Sequence, residues 1–178
     1  MSVILLTGGA RSGKSAAAQR LAEAAGPDVT LIATAEALDE EMAERIEQHR
    51  EARPSSWRTI EEPLDLLGAL ESVDARGTVV IDCLTLWVSN LLGKGATDAE
   101  IVSDAERLAA AAGERAGRTV VVTNEVGSGI VPFEPETRRY RDLLGRVNAI
   151  VSEAAEKAGL LVAGRVLWLE APSEVELP

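Results

Sequence analysis

The chain has 178 residues, of which 46% are apolar and only 3% aromatic, which suits one domain with an aliphatic α/β core. Twenty-nine acidic residues against 18 basic ones leave a net charge of −11. No basic cluster is present to track a phosphate backbone, which argues against nucleic-acid binding. No apolar run approaches the ~20 residues of a membrane span, no secretory signal is visible, and the only cysteine, Cys83, has no disulfide partner, so a soluble, cytoplasmic protein is expected.

In chain order, strand-like and helical runs alternate. Val3 to Leu6 reads as a buried strand and the alanine-rich stretch from Ser15 to Ala25 as a helix. Val29 to Ala33 is a second strand. Asp39 caps a helix to about Arg53, where Pro54 prevents continuation. Trp57 to Ile60 is a short strand, and Pro63 opens a helix through about Val73. Thr78 to Asp82 is a long apolar strand ending in a carboxylate, followed by a helix around Thr85 to Leu92 and a loop from Gly93 to Ala96. A long helix runs from about Asp98 to Ala116, a strand from Thr119 to Thr123, and a glycine-containing loop from Asn124 to Pro132. An amphipathic helix covers Glu136 to Ala158, one or two strands lie between Leu160 and Glu170, and Ala171 to Pro178 reads as a frayed tail. With no repeat or linker, residues 1–178 make one doubly wound α/β domain, a mostly parallel sheet with helices on both faces.

The chemistry concentrates in Gly8, Gly9, Ala10, Arg11, Ser12, Gly13, Lys14 and Ser15, which spell G-x-x-x-x-G-K-S between the first strand and the first helix. In that setting backbone N–H groups converge on phosphate oxygens, Lys14 adds a full positive charge, and the Ser15 hydroxyl can ligate magnesium. A nucleoside triphosphate is the expected ligand. Asp82, at the C-terminal end of a parallel strand, reads either as the carboxylate that holds the magnesium or as an N-cap for the helix that follows. The sole histidine, His49, falls in register with Met42, Ile46 and Arg53 on one helical face. Met42 and Ile46 mark that face as inward. Beside Arg50 and Arg53 the imidazole is poised between core and anion site, as general base, metal ligand or nucleophile toward phosphorus, or as a solvent-facing bystander. Zinc is disfavoured, because no second histidine or cysteine cluster accompanies it. The 124–132 loop lies at the same sheet edge, where substrate is gripped. Arg138, Arg139, Arg141 and Arg146 put several cations on one helix, for ion pairs or for an anion or partner.

Together these pieces resemble the bifunctional adenosylcobinamide kinase / adenosylcobinamide-phosphate guanylyltransferase family of cobalamin assembly. The likeness runs from about Ile4 to Val162. It rests on T-G-G-A-R-S-G-K-S at Thr7 to Ser15, I-A-T-A at Ile32 to Ala35, and D-E-E-M-A-E-R-I at Asp39 to Ile46. It continues through His49, Arg53-Pro54, W-R-T at Trp57 to Thr59, Glu61, the Asp82 strand, T-N-E-V-G-S-G-I-V-P at Thr123 to Pro132, and the Arg141 to Asn148 stretch. The segment from Ala163 to Leu169 departs from the family's simpler finish.

The resemblance implies a recombinase-like P-loop NTPase fold and two reactions. Adenosylcobinamide is phosphorylated with ATP or GTP. The phosphate is then converted with GTP to adenosylcobinamide-GDP and pyrophosphate. It implies Lys14 and His49 as catalytic residues, His49 being the one that becomes guanylylated. Nucleotide contacts are implied for Gly8 through Ser15, Thr34, Ala35, Glu36, Arg50, Glu51, Ala52, Arg53, Glu61 and Asp82. Mg2+ at Ser15 and Asp82 and a homotrimer are implied as well. Two other readings remain: a simple small-molecule P-loop kinase with a structural His49, and a nucleotide-dependent regulatory protein.

Overall fold

The computed structural model describes residues 2–37, 39–51 and 53–171. Ala52 and all of the expected frayed tail except Ala171 lie outside them. The elements are β1 (Ser2–Gly8), α1 (Lys14–Glu23), β2 (Val29–Ala33), α2 (Glu40–Glu51), β3 (Arg58–Glu61), α3 (Leu66–Glu71) and β4 (Thr78–Asp82). There follow α4 (Leu84–Gly93), α5 (Asp98–Glu114), β5 (Arg118–Val122), α6 (Pro135–Ala154), β6 (Lys157–Val162) and β7 (Arg165–Leu169). One seven-stranded sheet has the order β3-β2-β4-β5-β1-β6-β7. Every pairing is parallel except the terminal β6–β7 hairpin.

The strands read as continuous apolar runs because both sheet faces are covered, which hides the alternation of side chains. Val3 and Leu5 of β1, Val79 and Ile81 of β4 and Val121 of β5 enter one core. Leu66 and Leu70 of α3, Leu84 and Trp87 of α4, Ile101 and Leu108 of α5, and Leu144 and Val147 of α6 fill it. Ile4, Leu6, Val80, Val120 and Val122 point the other way, toward Ala18 and Ala22 of α1. Small alanines let α1 lie close on the strands, so the phosphate-binding loop is clamped directly over the sheet edge. Register brings Ala33 beside both Asp82 and Glu61, Asp82 beside Val122, and Gly8 beside Leu161. The strand ends carrying the expected chemistry therefore form one rim, at the carboxyl edge where open α/β sheets bind ligands.

Several expected boundaries move, and three of the larger shifts have a visible cause, one a local cap and two tertiary. The helix expected from Pro63 begins at Leu66, because Asp65 caps it by accepting the Gly68 N–H at 2.9 Å, while Glu62 holds the turn before it. It also stops at Glu71. Helix α5 stops at Glu114 because Arg115 turns under the neighbouring loop. There its buried guanidinium donates to the carbonyls of Leu70, Val73, Asp74 and Gly77 at 2.8–3.3 Å. Helix α6 ends at Ala154 rather than Ala158, since residues 157–162 pair with β1. The expected inward face of α2 does not enter either core: Met42 and Ile46 are half-buried, and no helix or strand packs extensively on α2 among the described residues.

Candidate active site

Two glycines shape the loop at the end of β1. Gly8 has φ +149°, and a Cβ there would lie 2.4 Å from the Leu161 carbonyl oxygen. Gly13 has φ +100° and opens α1 from a left-handed conformation that side chains other than glycine's rarely adopt. The β6–β7 hairpin supports the loop from outside. Its tip, Ala163 and Gly164, has positive φ at both residues, and the Gly164 N–H donates to the Ser12 carbonyl at 2.9 Å. Nothing in the pattern of residues 163–169 disclosed this contact, although a small residue followed by glycine between two apolar runs is a hairpin signal.

Lys14 lies folded against the loop it follows. Its ammonium donates to the carbonyls of Gly8 at 3.1 Å and Gly9 at 2.6 Å and to Ser12 Oγ at 3.3 Å. Burial pulls its pKa below the ordinary lysine value, while the Asp82 carboxylate acts in the opposite direction. Behind it, Ser15 Oγ donates to Asp82 Oδ2 at 3.1 Å. Asp82 is not the cap of α4; Cys83 occupies that position, and the Asp82–Cys83 peptide is cis. Thr34, fully buried, fixes this corner. Its hydroxyl donates to the Cys83 carbonyl at 2.7 Å and accepts from the Cys83 N–H at 2.8 Å, and its own N–H donates to the Asp82 carbonyl at 3.1 Å. Burial, with Asp82 nearby, pushes the Cys83 thiol up to about 11, so it stays protonated and is no competing nucleophile at neutral pH.

An open cleft of about 1050 Å³ runs from this loop to α2. Ala10 through Ser15, Ala35, Glu36, Glu61 and Asp82 line it on the sheet side. Met42, Ile46, His49, Arg50 and Arg53 line it on the other. The apolar face of α2 thus turns toward the cleft, and His49 sits exposed on its last turn. Arg50 is paired with Glu61 across the cleft and reaches Glu47 at 3.4 Å; the Glu61 bond raises its pKa most. Arg53 is half-buried, and burial lowers its pKa against the pull of Asp82. Of the expected nucleotide contacts, Gly8, Gly9, Thr34 and Glu51 do not line the cleft; the Gly8 and Gly9 carbonyls accept from Lys14, Thr34 works from beneath the cleft, and Glu51 lies exposed at the end of α2.

At the opposite wall, a chain of hydrogen bonds sets the start of the 124–132 loop. Thr123 Oγ1 donates to Asn148 Oδ1 at 2.7 Å, Asn148 Nδ2 donates to the Asn124 carbonyl at 3.1 Å, and the Asn124 N–H donates to Thr85 Oγ1 at 2.8 Å. The Glu125 N–H then donates to the Gly8 carbonyl at 3.1 Å. No local sequence signal marks Thr85, because only the fold brings α4 and α6 to the same loop.

A phosphate-cradling loop, a serine–aspartate pair and a histidine–arginine helix share one cleft. The model of the cobinamide kinase / cobinamide phosphate guanyltransferase family matches residues 4–169. The chain belongs to this family. It is 46% identical over 163 residues to the bifunctional adenosylcobalamin biosynthesis protein CobP of Pseudomonas aeruginosa, covering 90% of this chain and 92% of that one. It is 40% identical to the corresponding CobU protein of Escherichia coli, covering 91% and 96%. Among solved structures, the RadB recombinase aligns with TM-score 0.50 at 17% identity, covering 89% of this chain and 73% of that one, a likeness of fold alone. The recombinase-like P-loop fold and the transferase family therefore stand together. Among the described residues no helix is long and apolar enough to cross a membrane.

Proposed function

We propose that this chain, as a member of that family, carries out both transfers in the one cleft. It phosphorylates the hydroxyl of adenosylcobinamide with ATP or GTP, and it then moves GMP from GTP onto the resulting phosphate through His49. The observation that carries the reading is that His49, Arg50 and Arg53 face the same cleft as the phosphate-binding loop.

In the first transfer Lys14 exchanges its bonds to loop carbonyls for phosphate oxygens, and the loop N–H groups hold the anion. Ser15 and Asp82 fit a magnesium ion, since a hydroxyl and a carboxylate already 3.1 Å apart are the hard oxygen donors it prefers. When bound, that ion offsets charge on the β- and γ-phosphate oxygens. In the second transfer a neutral imidazole nitrogen of His49 attacks the α-phosphorus of GTP, forming a P–N bond as the bond to pyrophosphate breaks. An oxygen of the acceptor's phosphate then attacks the same phosphorus, and the P–N bond breaks to free the imidazole. Arg50 and Arg53 offset the charge that gathers when two polyanions meet.

Glu36, Ala35 and Glu61 are read as further nucleotide contacts. Thr34 is read as a positioning residue for Asp82. A homotrimer in the cytoplasm completes the proposal. Self-association is supported by the edge strand β7, where Leu167, Trp168 and Leu169 are exposed, together with Val162 at 62%. The threefold count comes from the family likeness. The test is the intact mass of the protein after incubation with GTP and magnesium. An acid-labile GMP adduct on His49 is expected. Pyrophosphate release without any adduct would remove the histidine route.

A further inference from the structure

Next to the nucleotide cleft lies a second cavity of about 660 Å³, within the range that holds small-molecule ligands. The two share a wall: Asn124 borders the cleft and Glu125 borders the cavity. That wall is tied to the phosphate-binding loop through the Glu125 N–H and to α6 through Asn148, which also lines the cavity. A ligand seated there would lie beside the transferring phosphate without displacing the nucleotide.

The chemistry of the lining selects the ligand. Glu125 and Asp142 face Arg141 and Arg146, two carboxylates against two guanidiniums. Arg141 is bonded to Asp142 at 2.7 and 2.9 Å, and Glu125 accepts from the Gly127 N–H, so half of this charge is spent internally. A balanced set creates no field to hold a second polyphosphate. It does offer donors and acceptors side by side, which suits uncharged amides: their N–H groups find carboxylates and their carbonyls find Arg146. Val126 and Val131 add apolar surface between these groups. Gly145 on α6 also borders the space, and a Cβ there would meet no atom within 4 Å.

We propose that this cavity receives the amide-rimmed edge of the acceptor's corrin ring, leaving the hydroxyl arm to pass Asn124 toward the phosphate-binding loop. The assignment rests on the acceptor being a cobinamide, as proposed above.

The experiment fills the cavity. Gly145→Leu puts a bulky side chain into open space on a helix and improves helix propensity. Kinetics with cobinamide as the probe should show a KM raised at least ~10-fold, roughly what the loss of one well-packed group costs in binding. The GTP-dependent mass adduct should form as before, and the melting temperature should not fall. An unchanged cobinamide KM in a variant that melts normally would overturn the cavity assignment and leave the function intact. If the variant melts lower, Arg146→Ala at an exposed position decides the matter: a several-fold rise in cobinamide KM with an unchanged GTP KM supports the assignment, and no rise overturns it. A wild-type protein that neither binds nor phosphorylates cobinamide overturns the function itself, and this assignment with it.

Discussion

The two walls of the cleft are built in opposite ways. The phosphate-binding loop is pinned from four sides: by α1, by the Leu161 backbone against Gly8, by the hairpin tip on Ser12, and by the Glu125 N–H. Lys14 and Ser12 are buried, and Thr34 locks the peptide after Asp82. Helix α2 has none of this. Among the described side chains of α2 all are exposed or half-buried, the tie across the cleft is the exposed Arg50–Glu61 pair, and such pairs contribute little in water. The difference teaches that preorganisation has been assigned to the phosphate-handling half. Among the described contacts the α2 half is tied across the cleft by an exposed ion pair, so on the proposed function the nucleotide's own binding energy is available to bring the two together.

Amide hydrogen exchange should show the contrast at its largest. Amides of β1 and β4 should open only on global unfolding, while those of α2 should open locally, a gap of about 4 kcal/mol or roughly 1000-fold in protection. Equal protection would mean that α2 is anchored by contacts stronger than those described. Gly8→Ala should come next. A methyl at 2.4 Å from the Leu161 oxygen, at φ +149°, forces the loop or β6 to shift. The expected cost is about 2–4 kcal/mol, or a melting temperature lower by roughly 5–10 °C. An alanine tolerated without loss would show that the pinning is looser than the geometry implies.

How much of this was readable beforehand depends on where the information sits. Strands β2 and β4 are legible to the residue, Val29–Ala33 and Thr78–Asp82, because short runs of aliphatic and β-branched residues between Gly or polar residues leave little choice of bounds. The ends of α5 and α6 are not. Arg115 and residues 155–158 are compatible with helix locally, and only the four carbonyls around the Arg115 guanidinium and the pairing of β6 with β1 decide otherwise. The same division holds at the site. Motif spacing singles out Gly8 to Ser15, Asp82 and His49, and the structure places Ala10 to Ser15, Asp82 and His49 around one cleft. The bracing by Thr34, Thr85 and Gly164 depends on residues far apart in sequence, and no local pattern encodes it. Met42 and Ile46 show the converse: their spacing correctly gave a shared face, but a period alone does not say whether that face meets a core or a cleft.

The central claim is that one cleft performs two transfers with separable parts, the loop serving both and the histidine serving one. His49→Ala, assayed for both half-reactions, tests it most directly. The variant should form no GMP adduct and no adenosylcobinamide-GDP, while phosphorylating cobinamide within about threefold of the wild-type rate, since in the proposed mechanism the exposed imidazole takes no part in that step. Guanylyl transfer that survives the substitution, or a kinase activity that disappears with it in a protein that melts normally, would contradict the account.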